Sequence, residues 1–315
     1  MEFNFERALV TGGAGFIGSH LVDRLLQEEC HVTVIDDLSS GSRRNLTQHK
    51  NNTKLHFQKI DIRNPVKLKQ ALKDVDRVFH EAAIVSSEYA TQSPIRTGLI
   101  NVHGTLNLLE AARLQDIEHL TYASSAAVYG ANANLPITED APTKPLSPYG
   151  ASKLAAELFV QAYKTTYGLN TTSLRYFNVY GPRQVQNPYS GVITVFLQRL
   201  QARQAIQIQG DGEQTRDFIY VTDVAEANLK AASSKEASGE VFNIATGVPT
   251  SVNVLADTLG SILGTNVVSR KVSSRRGDIR DSYADTSKAK ELLGFKAKVS
   301  FREGLQQYVK WLRRP

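Results

Sequence analysis

Hydrophobic and polar positions follow two alternating periods through the first half of the chain. Short apolar runs at 8–10, 31–35, 75–80, 119–123 and 171–177 read as buried strands, and 54–59 alternates as a further one. Between them the period changes to that of a helix. Phe16, Ile17, Leu21, Val22, Leu25 and Leu26 share one face, a long helix is predicted over 94–113, and another over 148–167 ends at Gly168. Strands separated by helices imply a parallel sheet with right-handed crossovers, an α/β fold wound on both faces. After Asn178 the texture changes. The stretch 180–190 is rich in Pro, Gly, Gln and Asn, 192–203 reads as a helix, and short helices and turns are expected from about 250. The expected division is a first domain over 1–178 and a smaller α/β lobe over 179–315, with the chain returning to the first domain around 220–245.

The first strand runs directly into Thr11-Gly12-Gly13-Ala14-Gly15-Phe16-Ile17-Gly18. In such a strand–turn–helix unit Gly12 permits the tight turn, Gly15 lets a pyrophosphate approach the backbone, and Gly18 lets the helix sit close to the strand. The helix N-terminus offers free N–H groups and a positive dipole end. The second strand ends in Asp36-Asp37, where an acidic residue accepts hydrogen bonds from the adenosine ribose and favours NAD over NADP. Arg43 and Arg44 lie close enough to meet a 2′-phosphate, which Asp36 would repel. This is a Rossmann-type doubly wound sheet, whose ligands lie beyond the carboxyl ends of the strands. Asp36, Asp61, Ala82, Ser125 and Asn178 all fall at such ends.

Composition narrows the partners. The 37 basic and 31 acidic residues give a net charge of +6, and no long Lys/Arg run argues for nucleic acid. The single cysteine, Cys30, excludes an internal disulfide or a cysteine-cluster metal site. Histidine spacing suggests no metal. No stretch of about 18 apolar residues predicts a membrane span, and the acidic start at 1–7 does not resemble a signal peptide. A cytoplasmic protein is expected.

Candidate chemistry lies in Tyr149-Gly150-Ala151-Ser152-Lys153. Positions four apart share a helix face, so Lys153 sits one turn beyond Tyr149. A tyrosine is a poor base near neutrality unless neighbouring positive charge favours its phenolate. Lys153 and a cationic nicotinamide would supply that charge, and Tyr149 would take a proton from a sugar hydroxyl as hydride leaves the same carbon. Ser125, closing the preceding strand, can hydrogen-bond the same hydroxyl.

With these motifs the chain resembles the extended short-chain dehydrogenase/reductase superfamily, specifically its NAD-dependent nucleotide-sugar epimerases and dehydratases. The resemblance spans nearly the whole chain: TGGAGFIG at 11–18, HEAA at 80–83, SSAAVYG at 124–130, YGASK at 149–153, RYFNVYGPR at 175–183, GDGEQTRDFIYVTD at 210–223 and RRGDIRDSYAD at 275–285. It implies that Gly12, Gly15, Phe16 and Ile17 line the pyrophosphate of NAD and that Asp36 and Asp37 hold its ribose. Asp61 and Ile62 would hold adenine, and Ala82 and Ala83 would lie under the cofactor near Asn101. Tyr149 and Lys153 would be base and ribose partner. Tyr176 and Asn178 would bridge cofactor and sugar nucleotide. Arg216 and Arg275 would clamp the diphosphate, where guanidinium geometry suits phosphate, and Asp278 would hold the nucleoside ribose. A homodimer through a four-helix bundle, built from the helices near 94–113 and 148–167, is implied as well.

The family's dehydratases carry an Asp-Glu pair after the catalytic hydroxyl residue, and its decarboxylases an acidic residue. Here Ala126 and Ala127 stand there, and alanine transfers no proton. Oxidation at C4, rotation of the 4-keto sugar and return of hydride remain: 4-epimerisation of a UDP-sugar. The small Ser282, aligned with a bulky gate in glucose/galactose-type enzymes, favours UDP-N-acetylglucosamine and UDP-N-acetylgalactosamine, with UDP-glucose and UDP-galactose as further substrates. Two alternatives stay open. One is a UDP-glucuronate 4-epimerase using Arg280 for the carboxylate; the other is a non-catalytic NAD-binding regulator on the same fold.

Overall fold

The computed structural model describes residues 5–132, 134–184, 191–273 and 279–313. The first half alternates β1 (Arg7–Thr11), α1 (Phe16–Gln27), β2 (His31–Asp36), β3 (Leu55–Lys59), α2 (Pro65–Ala71), β4 (Arg77–His80), α3 (Ser87–Gln92), α4 (Pro94–Gly98), α5 (Thr105–Leu114), β5 (His119–Ser125), α6 (Pro148–Tyr167) and β6 (Thr171–Tyr176). There follow β7 (Asn178–Tyr180), α7 (Val192–Gln201), β8 (Ile206–Gln209), β9 (Thr215–Tyr220), α8 (Val221–Ser233), β10 (Val241–Ile244), β11 (Pro249–Ser251) and α9 (Val252–Leu263). The last elements are β12 (Ser269–Val272), β13 (Asp281–Ser282), α10 (Ser287–Leu293) and α11 (Phe301–Leu312).

Seven strands form one parallel sheet in the order β10-β6-β5-β4-β1-β2-β3. The strand order reverses between β1 and β4, which opens a crevice at their carboxyl ends. Both faces are covered, so β1, β4, β5, β6 and β10 are buried along almost their whole length, while the edge strand β3 alternates. Leu21, Val22 and Leu25 of α1 share one core with Ala225 and Leu229 of α8. On the other face Leu68, Leu108, Leu109, Ala156 and Val160 bring α2, α5 and α6 against the sheet. The second half builds a small sheet around β9, which pairs with β7, β11 and β13, and a two-stranded β8–β12 pair. Phe196, Leu255, Leu259, Leu305 and Tyr308 form its core.

Two elements differ from the pattern-based expectation. The helix predicted over 94–113 is interrupted by a π-helical turn, Leu99–Gly104. The wider turn carries Asn101 inward, where its amide accepts from Ile84 N and donates to Ile84 O and Ser152 Oγ. The segment after 250 holds two full helices of 12 residues each, not only short ones. Their starts are written in the sequence. Ser251 Oγ accepts from Val254 N, and Ser300 Oγ accepts from Glu303 N, the latter in the Ser-x-x-Glu arrangement of a capping box.

Between β6 and α6 lies a buried polar network. Glu157 of α6 is 1% exposed and Arg175 of β6 is 5% exposed. The Arg175 guanidinium donates to both Glu157 oxygens, at 2.6 Å for the shortest bond, and to Tyr129 Oη and Glu139 O at 2.8 Å. Ser124 Oγ donates to Glu157 Oε2. Tyr129 Oη donates to Asn243 Oδ1 at 2.6 Å, and Asn243 Nδ2 reaches Ile137 O. Removing one member leaves a buried charge uncompensated. Glu157→Ala is therefore expected to lose about 3–5 kcal/mol of stability. The double change Glu157→Leu with Arg175→Met should lose far less, and urea unfolding of the two variants compares them.

Candidate active site

The site is built at the carboxyl ends of β1, β2, β4, β5 and β6. Gly12 turns out of β1 with φ +66°, and a Cβ there would lie 2.8 Å from Ala82 N. Only glycine fits between these two loops. Gly15 precedes α1, and no side chain caps its first turn. Phe16 and Ile17 open that helix, so its N–H groups and dipole face the crevice, a geometry suited to a pyrophosphate. Asp36 is 7% exposed; it accepts from Ala14 N at 3.0 Å and Leu38 N at 2.8 Å, which fixes the loop beside the glycine turn. Asp37 accepts from Ser39 N. Asp61 is paired with Arg63, whose hydrogen bonds hold its carboxyl below the usual range, and Ile62 is buried in the core.

Tyr149 occupies the first turn of α6, which Ser147 caps through Gly150 N and Pro148 opens. Gly150 brings this turn onto the segment after Ser125: a Cβ there would lie 2.6 Å from Ala127 O. Ser125 Oγ accepts from Ala127 N at 3.2 Å and lies close enough to the Tyr149 phenol to act on its proton. Burial raises the Tyr149 phenol, the Ser125 hydroxyl lowers it and the charge of Glu81 raises it. Lys153, 3% exposed, donates from Nζ to Ala123 O at 2.7 Å and lies 5.0 Å from the Tyr122 ring centre. Burial pulls its ammonium down to about 8, against the charge of Glu81. A hydroxyl, a phenol and an ammonium thus converge at the ends of β5 and α6. The adjoining Ala126 and Ala127 supply neither acid nor base.

A directional chain of hydrogen bonds sets this geometry. Thr105 Oγ1 donates to Asn101 O at 2.6 Å, so it must accept from His80 Nε2 at 2.9 Å. His80 is then the Nε2–H tautomer, and its Nδ1 accepts from Thr11 Oγ1 at 2.7 Å. Thr11 Oγ1 accepts from Ala82 N, Asn101 donates to Ser152 Oγ, and Ser152 Oγ donates to Tyr149 O. The chain ties the Ala82–Ala83 loop to the helix that carries Tyr149 and Lys153.

In the second lobe Asn178 of β7 pairs with Phe218, two residues from Arg216 on β9, and Arg216 pairs in register with Ser282 of β13. Arg216 Nη1 donates to Thr215 O at 2.7 Å. Asn178, Arg216 and Ser282 therefore belong to one small sheet, while Arg275 and Asp278 lie outside the described residues. Tyr176 is buried, and its hydroxyl donates to Glu81 Oε1 at 2.7 Å while accepting from Asn228 Nδ2 at 2.7 Å.

Residues 8–245 match the family model described as the NAD dependent epimerase/dehydratase family. The chain belongs to the NAD-dependent epimerase/dehydratase family. NAD is the cofactor of this family, and the glycine turn, the uncapped α1 start and Asp36 fit it. Among family members, the UDP-glucose 4-epimerase of Mycolicibacterium smegmatis is 38% identical over 310 residues, covering 98% of each chain. A UDP-N-acetylglucosamine 4-epimerase from Methanobrevibacter ruminantium M1, solved in complex with UDP-N-acetylmuramic acid, is similar at a TM-score of 0.93 and 39% identity over 98% of each chain. The UDP-glucose 4-epimerase of Thermotoga maritima, solved with UDP-glucose, gives 0.91 and 39% over 97% of this chain and 98% of its own.

Reading the family motifs alone misses Glu81. It stands in HEAA at a strand end, yet an acidic residue among small ones reads as loop polarity until Tyr176 and Asn228 are seen on it. His80, 1% exposed, and His119, 5% exposed, are both pulled down to about 3 by burial. Neutral in the folded chain, they leave stability unchanged above the ordinary histidine range. Below pH ~6.5 the unfolded chain takes up protons that the folded chain refuses, so stability falls as pH drops toward 3. Each should contribute a slope of up to about 1.4 kcal/mol per pH unit. His80→Gln should remove one such slope, read from urea midpoints across that range.

Proposed function

We propose that the chain is a UDP-sugar 4-epimerase acting on UDP-N-acetylglucosamine and UDP-N-acetylgalactosamine, and on UDP-glucose and UDP-galactose. The observation that carries this reading is the convergence of Ser125, Tyr149 and Lys153 beside two alanines. The triad moves a proton at a hydroxyl, and no side chain at 126 or 127 is equipped for elimination. Bound NAD would supply reversible hydride acceptance at the sugar C4. Gly12, Gly15, Phe16 and Ile17 would hold its pyrophosphate, Asp36 and Asp37 its ribose, and Asp61 and Ile62 its adenine. Ala82, Ala83, Asn101 and Tyr176 would border it. Tyr149 takes the C4 hydroxyl proton, Ser125 orients that hydroxyl, and Lys153 favours the phenolate and holds the cofactor ribose. Once the 4-keto sugar has turned, hydride would return to the opposite face of C4 while Tyr149 gives the proton back to O4. Asn178, Arg216, Arg275 and Asp278 would anchor the nucleotide while the sugar turns.

Ser282 supports the acetylated substrate, because its small side chain stands beside Arg216 in the lobe that would hold the sugar nucleotide. A UDP-glucuronate enzyme would need Arg280 for the extra carboxylate. Arg280 is matched by Asp211 at 2.7 Å, which argues against that assignment. A non-catalytic regulator would have no use for the complete triad.

Self-association is part of this reading. Ile95 is 80% exposed, Leu99 46%, Leu158 56% and Phe159 39%. These exposures leave apolar side chains of two neighbouring helices uncovered, as a four-helix dimer interface requires. Sedimentation of a micromolar sample should give a dimer, and a monomer would reject it.

Purified protein should interconvert the epimers of the four UDP-sugars without added cofactor. Tyr149→Phe should stay folded and lose roughly 10²–10⁴ in rate, the contribution of one positioned acid–base group. Absence of turnover on all four sugars, or near-normal turnover by the variant, would reject the assignment. In the same assay Ser282→Tyr should suppress the acetylated pair and spare UDP-glucose; equal loss on both pairs would remove Ser282 from the role of gate.

A further inference from the structure

Glu81 is a titratable group that the mechanism above does not use. It follows β4 directly, one residue beyond the His80–Tyr122 pair that ends the β4–β5 ladder, and Tyr122 is followed by Ala123, the residue whose carbonyl accepts from the Lys153 ammonium. Its carboxylate is held from two further elements. Tyr176 Oη of β6 donates to Oε1 at 2.7 Å, and Asn228 Nδ2 of α8 donates to that phenolic oxygen at 2.7 Å. Asn228 is fully buried and also bonded to Val224 O, so the clamp is rigid.

The charged and titratable groups facing this carboxylate are few. From α6 come Lys153 and Tyr149, both within its electrostatic reach. From β6 comes Tyr176, and from α8 the neutral Asn228. His80, on β4 itself, is turned to Thr11 and Thr105 and held neutral. Tyr122 of β5 is buried, and its phenol is raised well above its ordinary range.

We propose that Glu81 is a positioning residue for the reaction: clamped by Tyr176 and Asn228, its carboxylate sets the pH range in which Tyr149 and Lys153 are in their working protonation states. The physical argument is one of sign. A negative charge beside an ammonium favours keeping the proton, and beside a phenol it disfavours losing one. Glu81 therefore moves both groups in the same direction, toward higher pH. It opposes the depression that burial imposes on Lys153, and it adds to the elevation that burial imposes on Tyr149. Burial also pushes the Glu81 carboxyl itself up to about 7, against its Tyr176 bond and the Lys153 charge, so its own charge is lost just where the base must work. On the acid side of neutrality the neutral acid no longer opposes the Tyr149 phenolate; on the alkaline side the carboxylate retains the Lys153 proton.

The inference rests on Tyr149 being the base, and its test separates the two. Glu81→Gln keeps the shape and the acceptor for Tyr176 but removes the charge. The alkaline limb of its kcat–pH profile, where Glu81 carries its charge, should move toward acid by roughly one pH unit, the scale of one nearby charge, while the acid limb, where Glu81 is already neutral, should stay. Glu81→Asp, which restores the charge, should return the profile toward that of the parent. Tyrosinate absorbance, titrated in the NAD-bound protein and corrected with Tyr149→Phe, should show the same acid shift for Tyr149 in Glu81→Gln without any turnover. A uniform loss of rate with both limbs and the tyrosinate titration unmoved would overturn the proposal and leave Glu81 a packing residue. A Glu81→Asp profile shifted like that of Glu81→Gln would also overturn it. If no UDP-sugar turns over, the epimerase reading fails, and the tyrosinate titration still decides the role of Glu81.

Discussion

Two charges with almost no access to water, Arg175 and Glu157, sit between β6 and α6, and the edge that carries Ser125 and Tyr149 depends on how they are satisfied. Each neighbours a residue of the site. Arg175 precedes Tyr176, Glu157 lies one helical turn beyond Lys153, and Ser124, bonded to Glu157, precedes Ser125. Desolvating such a pair is costly, and the cost is offset only when every remaining donor and acceptor is matched. The matching groups come from β5, the segment after it, the loop at 137–139 and β10. The pair therefore holds at one register the elements that the triad needs to meet, and slippage of any of them would strand a buried charge.

The His80 chain acts at the other end of the same helix turn. Its bonds run in one direction from Ala82 to Tyr149 O, so each hydroxyl has a single role and the tautomer of His80 is fixed. Asn101 and Thr105, four residues apart around the π turn at 99–104, point inward to their partners while Ile95 and Leu99 stay outside. Glu81 adds charge to a scaffold that is otherwise neutral in this layer.

Much of the fold was legible because the first half alternates its periods cleanly and the glycines punctuate it. The Tyr149–Lys153 spacing and the strand-end position of Ser125 placed these residues on the elements where they lie, the start of α6 and the end of β5. Arg175 and Glu157 were not legible as a pair: each reads as a surface charge, and only the packing of α6 on β6 buries them together. The π turn leaves no residue signature, since Leu99 to Gly104 carries ordinary helical periodicity. The small strands β8, β11, β12 and β13 are too short for alternation to register. Helices α9 and α11 were under-read although Ser251 and Ser300 mark their starts. The residues proposed for the substrate were reached only through resemblance, because an arginine on a strand looks the same whether it meets phosphate or solvent.

The last strand of the large sheet, β10, reaches β6 only after β7, α7, β8, β9 and α8 have been threaded. Until then β6 is an edge, with unpaired backbone groups open to other chains. As the polypeptide leaves the ribosome, the nucleotide-binding half therefore cannot close as an autonomous unit. Asn243, which accepts from Tyr129 in the Arg175 network, arrives at the same late moment. The large sheet is completed only once the first part of the second lobe has been made, so premature termination anywhere before residue 244 leaves an aggregation-prone sheet edge rather than a closed sheet.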